Sequence, residues 1–224
     1  MTPTLVVVSG PAGSGKTTLA YELGAAMGCP VISRDEIKQG MARATPGFTG
    51  APGDELTRRT FPVFFAVLEL LLRSGVTTVA DAAFQDHVWR PELAKLQSLA
   101  EIRVVHCTVA ADVAFARIAR REQDDPQRRV HAAPGDPAGH EAAHRAFRRV
   151  SIAAPALEVD TSDGYRPPFG QILSFATGEL YPERAEVSRP AAAYRCSGSG
   201  PRAARPPSTG STAPVTKLAC SDSR

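Results

Sequence analysis

The chain has 224 residues, and its 26 Lys and Arg against 23 Asp and Glu give a formal net charge of +3. Residues 190–224 hold five basic residues and one acidic residue, whereas residues 1–189 hold 21 basic and 22 acidic residues. The near-neutral body excludes a strongly basic nucleic-acid-binding domain, and the length suits one α/β domain.

The sequence pattern predicts neither a targeting segment nor a cysteine motif. No run of about 18 apolar residues predicts a membrane-spanning helix, and residues 5–8 lack the basic flank and the length of a signal peptide. None of the four cysteines forms a C-x-x-C pair, so no zinc or redox motif is predicted. We expect a cytoplasmic protein in which Cys29 and Cys107 are small buried hydrophobic residues.

Apolar strands alternate with amphipathic helices along residues 4–176. This alternation predicts right-handed βαβ units and a parallel sheet covered by helices on both faces. Pro91 is expected in a first helical turn, where a missing N–H costs little. Pro62 either lies inside the helix predicted over residues 56–73 or marks its true first turn. The predicted strands are residues 4–8, 30–32, 76–80, 102–109 and 157–160, and the predicted helices are residues 16–27, 35–41, 56–73, 91–100, 112–122, 141–150 and 168–176.

Two segments differ from the rest in composition. Residues 123–140 are polar and contain three prolines, which predicts a loop or mobile lid over about residues 121–145 of a domain that spans residues 1–189. Residues 190–224 are rich in Ser, Pro, Gly, Ala and Arg and contain few large apolar residues, so disorder is predicted there. That tail is either a dispensable extension or a basic arm.

The segment Gly10-Pro-Ala-Gly-Ser-Gly-Lys16-Thr17 matches G-x-x-x-x-G-K-[ST], between a predicted strand and a predicted helix. It predicts a loop whose backbone N–H groups hold ATP phosphates, with Lys16 on the transferring phosphate and the Thr17 hydroxyl on Mg²⁺. The alternative is a Gly-rich turn that binds nothing, and Thr18 either contacts nucleotide or packs the helix. The candidate nucleotide-binding residues are Gly10, Pro11, Ala12, Gly13, Ser14, Gly15, Lys16, Thr17 and Thr18.

Four further segments follow in a characteristic order: Ser-Arg-Asp35-Glu-Ile, Val-Ala-Asp81-Ala-Ala-Phe, Arg117-x-x-x-Arg121 and Val-Asp160-Thr-Ser-Asp-Gly-Tyr. The ordered set resembles the small P-loop kinases related to polynucleotide kinase, zeta toxin and chloramphenicol phosphotransferase, a group often labelled AAA-family ATPases. The resemblance covers roughly residues 4–176. It implies a three-layer P-loop fold with a five-stranded sheet in the order 2-3-1-4-5.

The resemblance also implies roles for single residues. Asp35 matches the general base of these kinases, although its position also suits a helix N-cap. Asp81 matches a carboxylate that holds Mg²⁺ through water or touches the acceptor, with a solvated strand-end acid as the alternative. Arg117 and Arg121 match lid arginines that contact nucleotide phosphate, with a solvated helix face as the alternative. Together with Lys16 these residues form the candidate catalytic and metal-binding set.

The functional prediction is an ATP-dependent kinase that transfers the γ-phosphate to a hydroxyl of a small molecule or of a nucleic-acid end. An alternative is a nucleotide-dependent regulatory ATPase without an acceptor, and a third hypothesis is a toxin-like kinase acting on a cell-wall sugar nucleotide. The sequence does not identify the acceptor, whose pocket is expected from residues 45–59 and 84–90. We expect a monomer or homodimer without membrane contact.

Overall fold

The computed structural model describes residues 2–51, 53–124 and 137–179. The centre of the predicted lid and the predicted disordered tail at residues 190–224 therefore lie outside the described residues. No helix within the described ranges is both long enough and apolar enough to cross a bilayer.

Strands and helices alternate as the sequence pattern predicts, and most observed bounds differ from the predicted ones by a few residues. The strands are β1 (Thr4–Ser9), β2 (Val31–Ser33), β3 (Thr78–Asp81), β4 (Glu101–Thr108) and β5 (Ala156–Asp160), and the helices are α1 (Lys16–Met27), α2 (Arg34–Arg43), α3 (Glu55–Arg73), α4 (Asp86–Leu96), α5 (Ala111–Asp124), α6 (Pro137–Ala146) and α7 (Phe169–Thr177).

The strands form one parallel sheet in the order β2-β3-β1-β4-β5, which confirms the predicted topology. In this register Val8 of β1 and Ser33 of β2 both pair with Asp81 of β3. The carboxyl ends of these three strands therefore meet at one edge, where ligands bind in open α/β sheets.

Strand β1 is the centre of the molecule, since its four apolar residues 5–8 are completely buried. Alternate residues face opposite sides of the sheet, so Leu5 and Val7 join one core while Val6 and Val8 join the other. The first core packs against α3 and α4, and the second packs against α1 and α7. The sheet is thus covered on both faces, as predicted for a three-layer fold.

Two predicted helix positions and one predicted proline position are wrong. Helix α3 begins at Glu55 because the Asp54 carboxylate caps it, accepting a hydrogen bond of 2.6 Å from the Thr57 N–H, so Pro62 lies inside the helix. Helix α4 begins at Asp86 rather than at Pro91, which is also internal. In place of the helix predicted over residues 141–150, α6 covers Pro137–Ala146. The chain after α6 is not helical, and Arg149 forms an isolated antiparallel β-bridge with Gln85.

Candidate active site

The predicted phosphate loop joins β1 to α1 and wraps over the sheet edge. Gly13 has φ +79°, and a Cβ there would lie 2.5 Å from the Ala114 carbonyl oxygen of α5. Gly15 has φ +74° and is the N-cap of α1. Only glycine combines this left-handed backbone with so close a helix contact. The loop is therefore packed against α5. It leads directly into the N-terminus of α1, whose helix dipole places a partial positive charge at the loop.

Asp81 lies at the carboxyl end of β3 beside this loop, and it is 2% exposed. Its Oδ2 accepts a hydrogen bond of 2.9 Å from the Ser33 hydroxyl. Burial raises the pKa of Asp81, whereas the Lys16 charge and the Thr17 and Ser33 hydroxyls oppose that rise. Asp81 is thus a buried carboxylate near Lys16 and Thr17, and the alternative of a solvated strand-end acid is wrong.

The surroundings of Asp81 fit a magnesium ion. Its Oδ1 is buried and has no hydrogen-bond partner among the described residues, and the neighbouring Thr17 hydroxyl offers a second oxygen. Mg²⁺ prefers a few protein oxygens together with phosphate oxygens and water. Asp81 and Thr17 are therefore the candidate magnesium ligands, and within the described ranges no group of three or more His, Cys, Asp or Glu could hold a metal.

Asp35 lies in the first turn of α2 and does not cap it. The N-cap residue is Ser33, whose side chain makes no capping bond because its hydroxyl reaches Asp81 instead. The Asp35 carboxylate is about half exposed and accepts a hydrogen bond of 3.2 Å from Nη1 of Arg34. The charge of Asp35 also raises the pKa of Asp81, so these two carboxylates lie near each other.

A cavity of about 600 Å³ opens beside the phosphate loop, between the start of α3 and the start of α4. Both Lys16 and Asp35 line it. The predicted acceptor segments contribute only in part, and Phe84 is completely buried in the core instead. The lining residues are Ala12, Lys16, Arg34, Asp35, Thr57, Arg58, Phe61, Ala83, Gln85, Val88 and Trp89.

Arg117 of α5 joins the phosphate loop to the loop after β5. Its Nη1 lies 3.4 Å from the Gly13 carbonyl oxygen, and its Nη2 donates to the carbonyls of Thr161 at 2.7 Å and Ser162 at 3.1 Å. The Thr161 hydroxyl in turn lies 2.9 Å from the Ser14 carbonyl oxygen. The guanidinium is thus engaged with backbone carbonyls around the loop, a role that the spacing of the lid arginines did not indicate.

The remaining predicted residues are placed less centrally. Thr18 is exposed, so it does not pack the helix. Arg121 lies one turn beyond Arg117 on α5 and does not line the 600 Å³ cavity. Residues 125–136 of the predicted lid lie outside the described residues.

The fold and this site define a P-loop nucleotide-binding protein with the architecture of the small P-loop kinases. The AAA domain family (AAA_33) matches residues 5–136, more than half of the chain, so the chain belongs to this family. The resemblance seen in the sequence is thereby confirmed. No curated protein matches the chain significantly.

Solved structures with the same fold include several kinases. A candidate kinase from Chloroflexus aurantiacus superposes with a TM-score of 0.71 at 21% identity, covering 81% of this chain and 100% of that one. Kti12 of Chaetomium thermophilum, bound to ADP-AlF3, gives 0.55 at 16% identity with 78% and 99% covered. The APS kinase CysC of Mycobacterium tuberculosis, bound to AMPPNP and APS, gives 0.53 at 14% identity with 77% and 96% covered.

Proposed function

We propose that this chain is an ATP-dependent phosphotransferase that moves the γ-phosphoryl group of ATP to an acceptor hydroxyl. The observation that carries the proposal is the cavity of about 600 Å³, because the phosphate-loop Lys16 and the carboxylate Asp35 line the same space. A volume of this size holds a small organic molecule. An acceptor in this cavity lies between the Lys16 ammonium, which can bind phosphate, and the Asp35 carboxylate, which can accept the proton of a hydroxyl.

In this proposal the phosphate loop binds the triphosphate through its backbone N–H groups, and Lys16 neutralises charge on the transferring group. Asp81 and Thr17 hold Mg²⁺, for which the unpartnered Oδ1 of Asp81 is the best indication. When bound, the ion draws charge from the phosphate oxygens. The burial of Asp81 excludes water from its side of the site, which strengthens these electrostatic contacts.

Asp35 is the proposed general base. Its carboxylate is partly exposed toward the cavity, so an acceptor hydroxyl can come within hydrogen-bond distance. The contact from Arg34 orients this carboxylate through one oxygen. The proton leaves the acceptor oxygen for Asp35 as that oxygen bonds to phosphorus.

The base assignment is tested by comparing Asp35→Asn with Glu36→Gln in an assay of phosphate transfer from labelled ATP to a panel of alcohols. Positioned general bases contribute about 10²–10⁴-fold in rate, so we expect a loss of that order in Asp35→Asn with ATP affinity unchanged. Glu36 is exposed, accepts a hydrogen bond from Tyr21 and does not line the cavity, so Glu36→Gln is the matched control. Full transfer by Asp35→Asn would rule out this role.

A regulatory ATPase without an acceptor is the second candidate function. The observation in its favour is the likeness in fold to Kti12, which is bound to ADP-AlF3. It predicts ATP hydrolysis that no alcohol stimulates. The two candidates are distinguished by measuring ADP release with and without the acceptor panel. We propose that the reaction takes place in the cytoplasm.

A further inference from the structure

The cavity beside the phosphate loop has an apolar wall made largely of aromatic rings. Phe61 and Trp89 line it together with Val88, and their ring centroids lie 4.9 Å apart at an interplanar angle of 66°. Phe64, Phe65 and Phe84 pack around Trp89 with centroids between 4.8 and 5.7 Å away. This wall is therefore held rigidly by the core, which suits a flat apolar ligand surface.

The lining of the same cavity also contains two positively charged side chains, Arg34 and Arg58. The Arg34 side chain is only 17% exposed, and its Nη2 donates to the Thr57 carbonyl at 3.3 Å. Its Nε is buried and has no hydrogen-bond partner among the described residues. A buried donor without a partner is costly, but this atom is closed to the cavity, so a ligand oxygen must approach through the part of the Arg34 side chain that stays exposed.

Charge within the lining is also unbalanced. Lys16, Arg34 and Arg58 are basic, while Asp35 is the acid that the described lining contributes. Lys16 is assigned to phosphate, and Arg34 is paired with Asp35 at 3.2 Å. The two arginines together therefore leave one positive charge that no acid of the described lining neutralises. Guanidinium groups bind carboxylate or phosphate oxygens with paired, charge-assisted hydrogen bonds.

We propose that the acceptor is a small alcohol with a planar apolar body and an anionic group, carboxylate or phosphate, that Arg34 and Arg58 bind. This inference rests on the proposed function and names its substrate class. The planar body lies against Phe61 and Trp89, and the hydroxyl faces Asp35. In the transfer step the acceptor oxygen bonds to the γ-phosphorus, the bond from that phosphorus to the bridging oxygen breaks, ADP leaves, and the hydroxyl proton passes to Asp35.

Binding can be followed without catalysis because Trp89 is the single tryptophan of the chain and lines the cavity. The probes are 4-(hydroxymethyl)benzoate, the phosphate 4-(hydroxymethyl)phenyl phosphate, the neutral 4-(hydroxymethyl)benzamide and the non-aromatic glycerate. Each probe is titrated against Trp89 fluorescence in the full chain, with and without a non-hydrolysable ATP analogue. The same probes are then offered as acceptors with ATP and Mg²⁺, and ADP release is measured.

We expect the benzoate or the phenyl phosphate to bind at least about tenfold more tightly than the benzamide, since hydrogen bonds to charged groups are the stronger ones. Whichever anion binds better identifies the anionic group. Glycerate should bind more weakly than either aromatic anion. Equal binding of anion and amide, or no saturable change in Trp89 fluorescence at millimolar anion, overturns the inference.

Variants of the arginines test the assignment directly. Arg34→Gln should remove the preference for binding the anion over the amide. A folding defect would weaken the binding of both probes alike, so the ratio of their affinities reports the charge contact alone. Arg58→Gln should reduce the same ratio severalfold. The neighbouring Arg59→Gln is its control, since Arg59 is exposed, lies 3.8 Å from Glu55 and does not line the cavity. An unchanged ratio in both Arg34→Gln and Arg58→Gln overturns the inference.

The inference and the proposed function fail in different ways. Anion-selective binding without ADP release supports the substrate class and contradicts the phosphotransferase. Transfer to alcohols without any preference for anions supports the phosphotransferase and overturns the substrate class. Transfer confined to the hydroxyl end of an oligonucleotide likewise overturns the small-molecule class.

Discussion

At the scale of single residues, the least ordinary group is the Asp81 carboxylate. It is buried at a strand end, accepts one hydroxyl bond from Ser33 and keeps one oxygen without a partner in the described part of the chain. Burying a charge in this way costs stability. Functional sites are where such costs are retained, because the same group is poised to bind a cation.

Replacement of Asp81 by Asn should raise thermal stability and impair function. Burial raises the folded-state pKa of Asp81, so the folded chain is destabilised above that pKa and recovers stability as the pH falls through it. We expect the Tm of the nucleotide-free protein at pH 8 to rise by about 2–4 °C, the shift for roughly 1 kcal/mol at this size.

Two features of the Asp81→Asn experiment are internal controls. The Tm difference between variant and wild type should vanish below about pH 4, where the ordinary carboxyl is protonated in both states. The extra stabilisation by ATP with Mg²⁺ over ATP with EDTA should be smaller in the variant. A lower Tm for nucleotide-free Asp81→Asn at pH 8 would contradict this account.

At the scale of elements, two contacts hold the site together. Helix α2 is joined to α3 by an ion pair of 2.7 Å between Lys38 and Asp54, whose side chains are 3% and 8% exposed. Helix α5 is joined to the phosphate loop and to the loop after β5 by Arg117. The first contact sets the cavity wall, and the second sets the shape of the phosphate loop.

The Lys38–Asp54 pair should be important for folding. Asp54→Asn keeps a capping oxygen for α3 but leaves Lys38 buried and unpaired, which costs about 3 kcal/mol. The neighbouring exposed pair between Glu55 and Arg59 is the control, and Glu55→Gln should cost less than about 1 kcal/mol. Urea denaturation at pH 7 measures both, and a similar loss in the two variants would contradict the prediction.

The same pair predicts a dependence on pH. Burial by itself raises the pKa of Asp54. The Lys38 ammonium and the N–H groups of Thr57 and Ala51 lower it by more than burial raises it, so the pKa of Asp54 lies below the ordinary value. The stability it contributes is therefore complete above the ordinary pKa near about 4 and is lost as the pH falls through the folded-state pKa. The excess stability of the wild type over Asp54→Asn should shrink over that acidic range.

Arg117→Lys distinguishes two roles for this arginine. Lysine keeps the charge but cannot reach several carbonyls with a planar fork. If Arg117 positions the loops, KM for ATP should rise about tenfold and stability should fall by about 1 kcal/mol, with kcat largely kept.

A phosphate contact in the transition state would instead lower kcat and leave urea denaturation unchanged. The control for Arg117→Lys is Arg73→Lys, because Arg73 is exposed on α3 and pairs with Glu69. Steady-state kinetics and urea denaturation of the same preparations provide both readings.

At the scale of the whole molecule, we predict that residues 1–189 are sufficient for folding and nucleotide binding. The body is near neutral and residues 190–224 contain few large apolar residues. A chain that ends at residue 189 should keep its Tm and its affinity for ATP within experimental error. Calorimetry with ATP and Mg²⁺ tests this, and a tenfold loss of affinity would assign the basic tail a part in binding.

Much of the fold was predictable because its signals are local. The phosphate loop combines an apolar strand, left-handed glycines and a helix start within about 15 residues, and α1 begins and ends at the predicted residues. The start of α3 was predicted to within one residue, whereas α4 begins at Asp86 rather than at the predicted Pro91. The Asp54 cap places Pro62 inside α3, so the preference of proline for a first turn marks neither helix start.

The sequence by itself determined the fold class, the phosphate loop and the candidate carboxylates, since each depends on neighbours along the chain. Only the tertiary structure decided that Ser33 binds Asp81, that Arg117 reaches Thr161, and that Phe84 is buried while Phe61 lines the cavity. These contacts join residues that are far apart in sequence. The direction of a side chain at a strand end depends on how neighbouring strands pair and how helices pack over them, and no local periodicity carries that information.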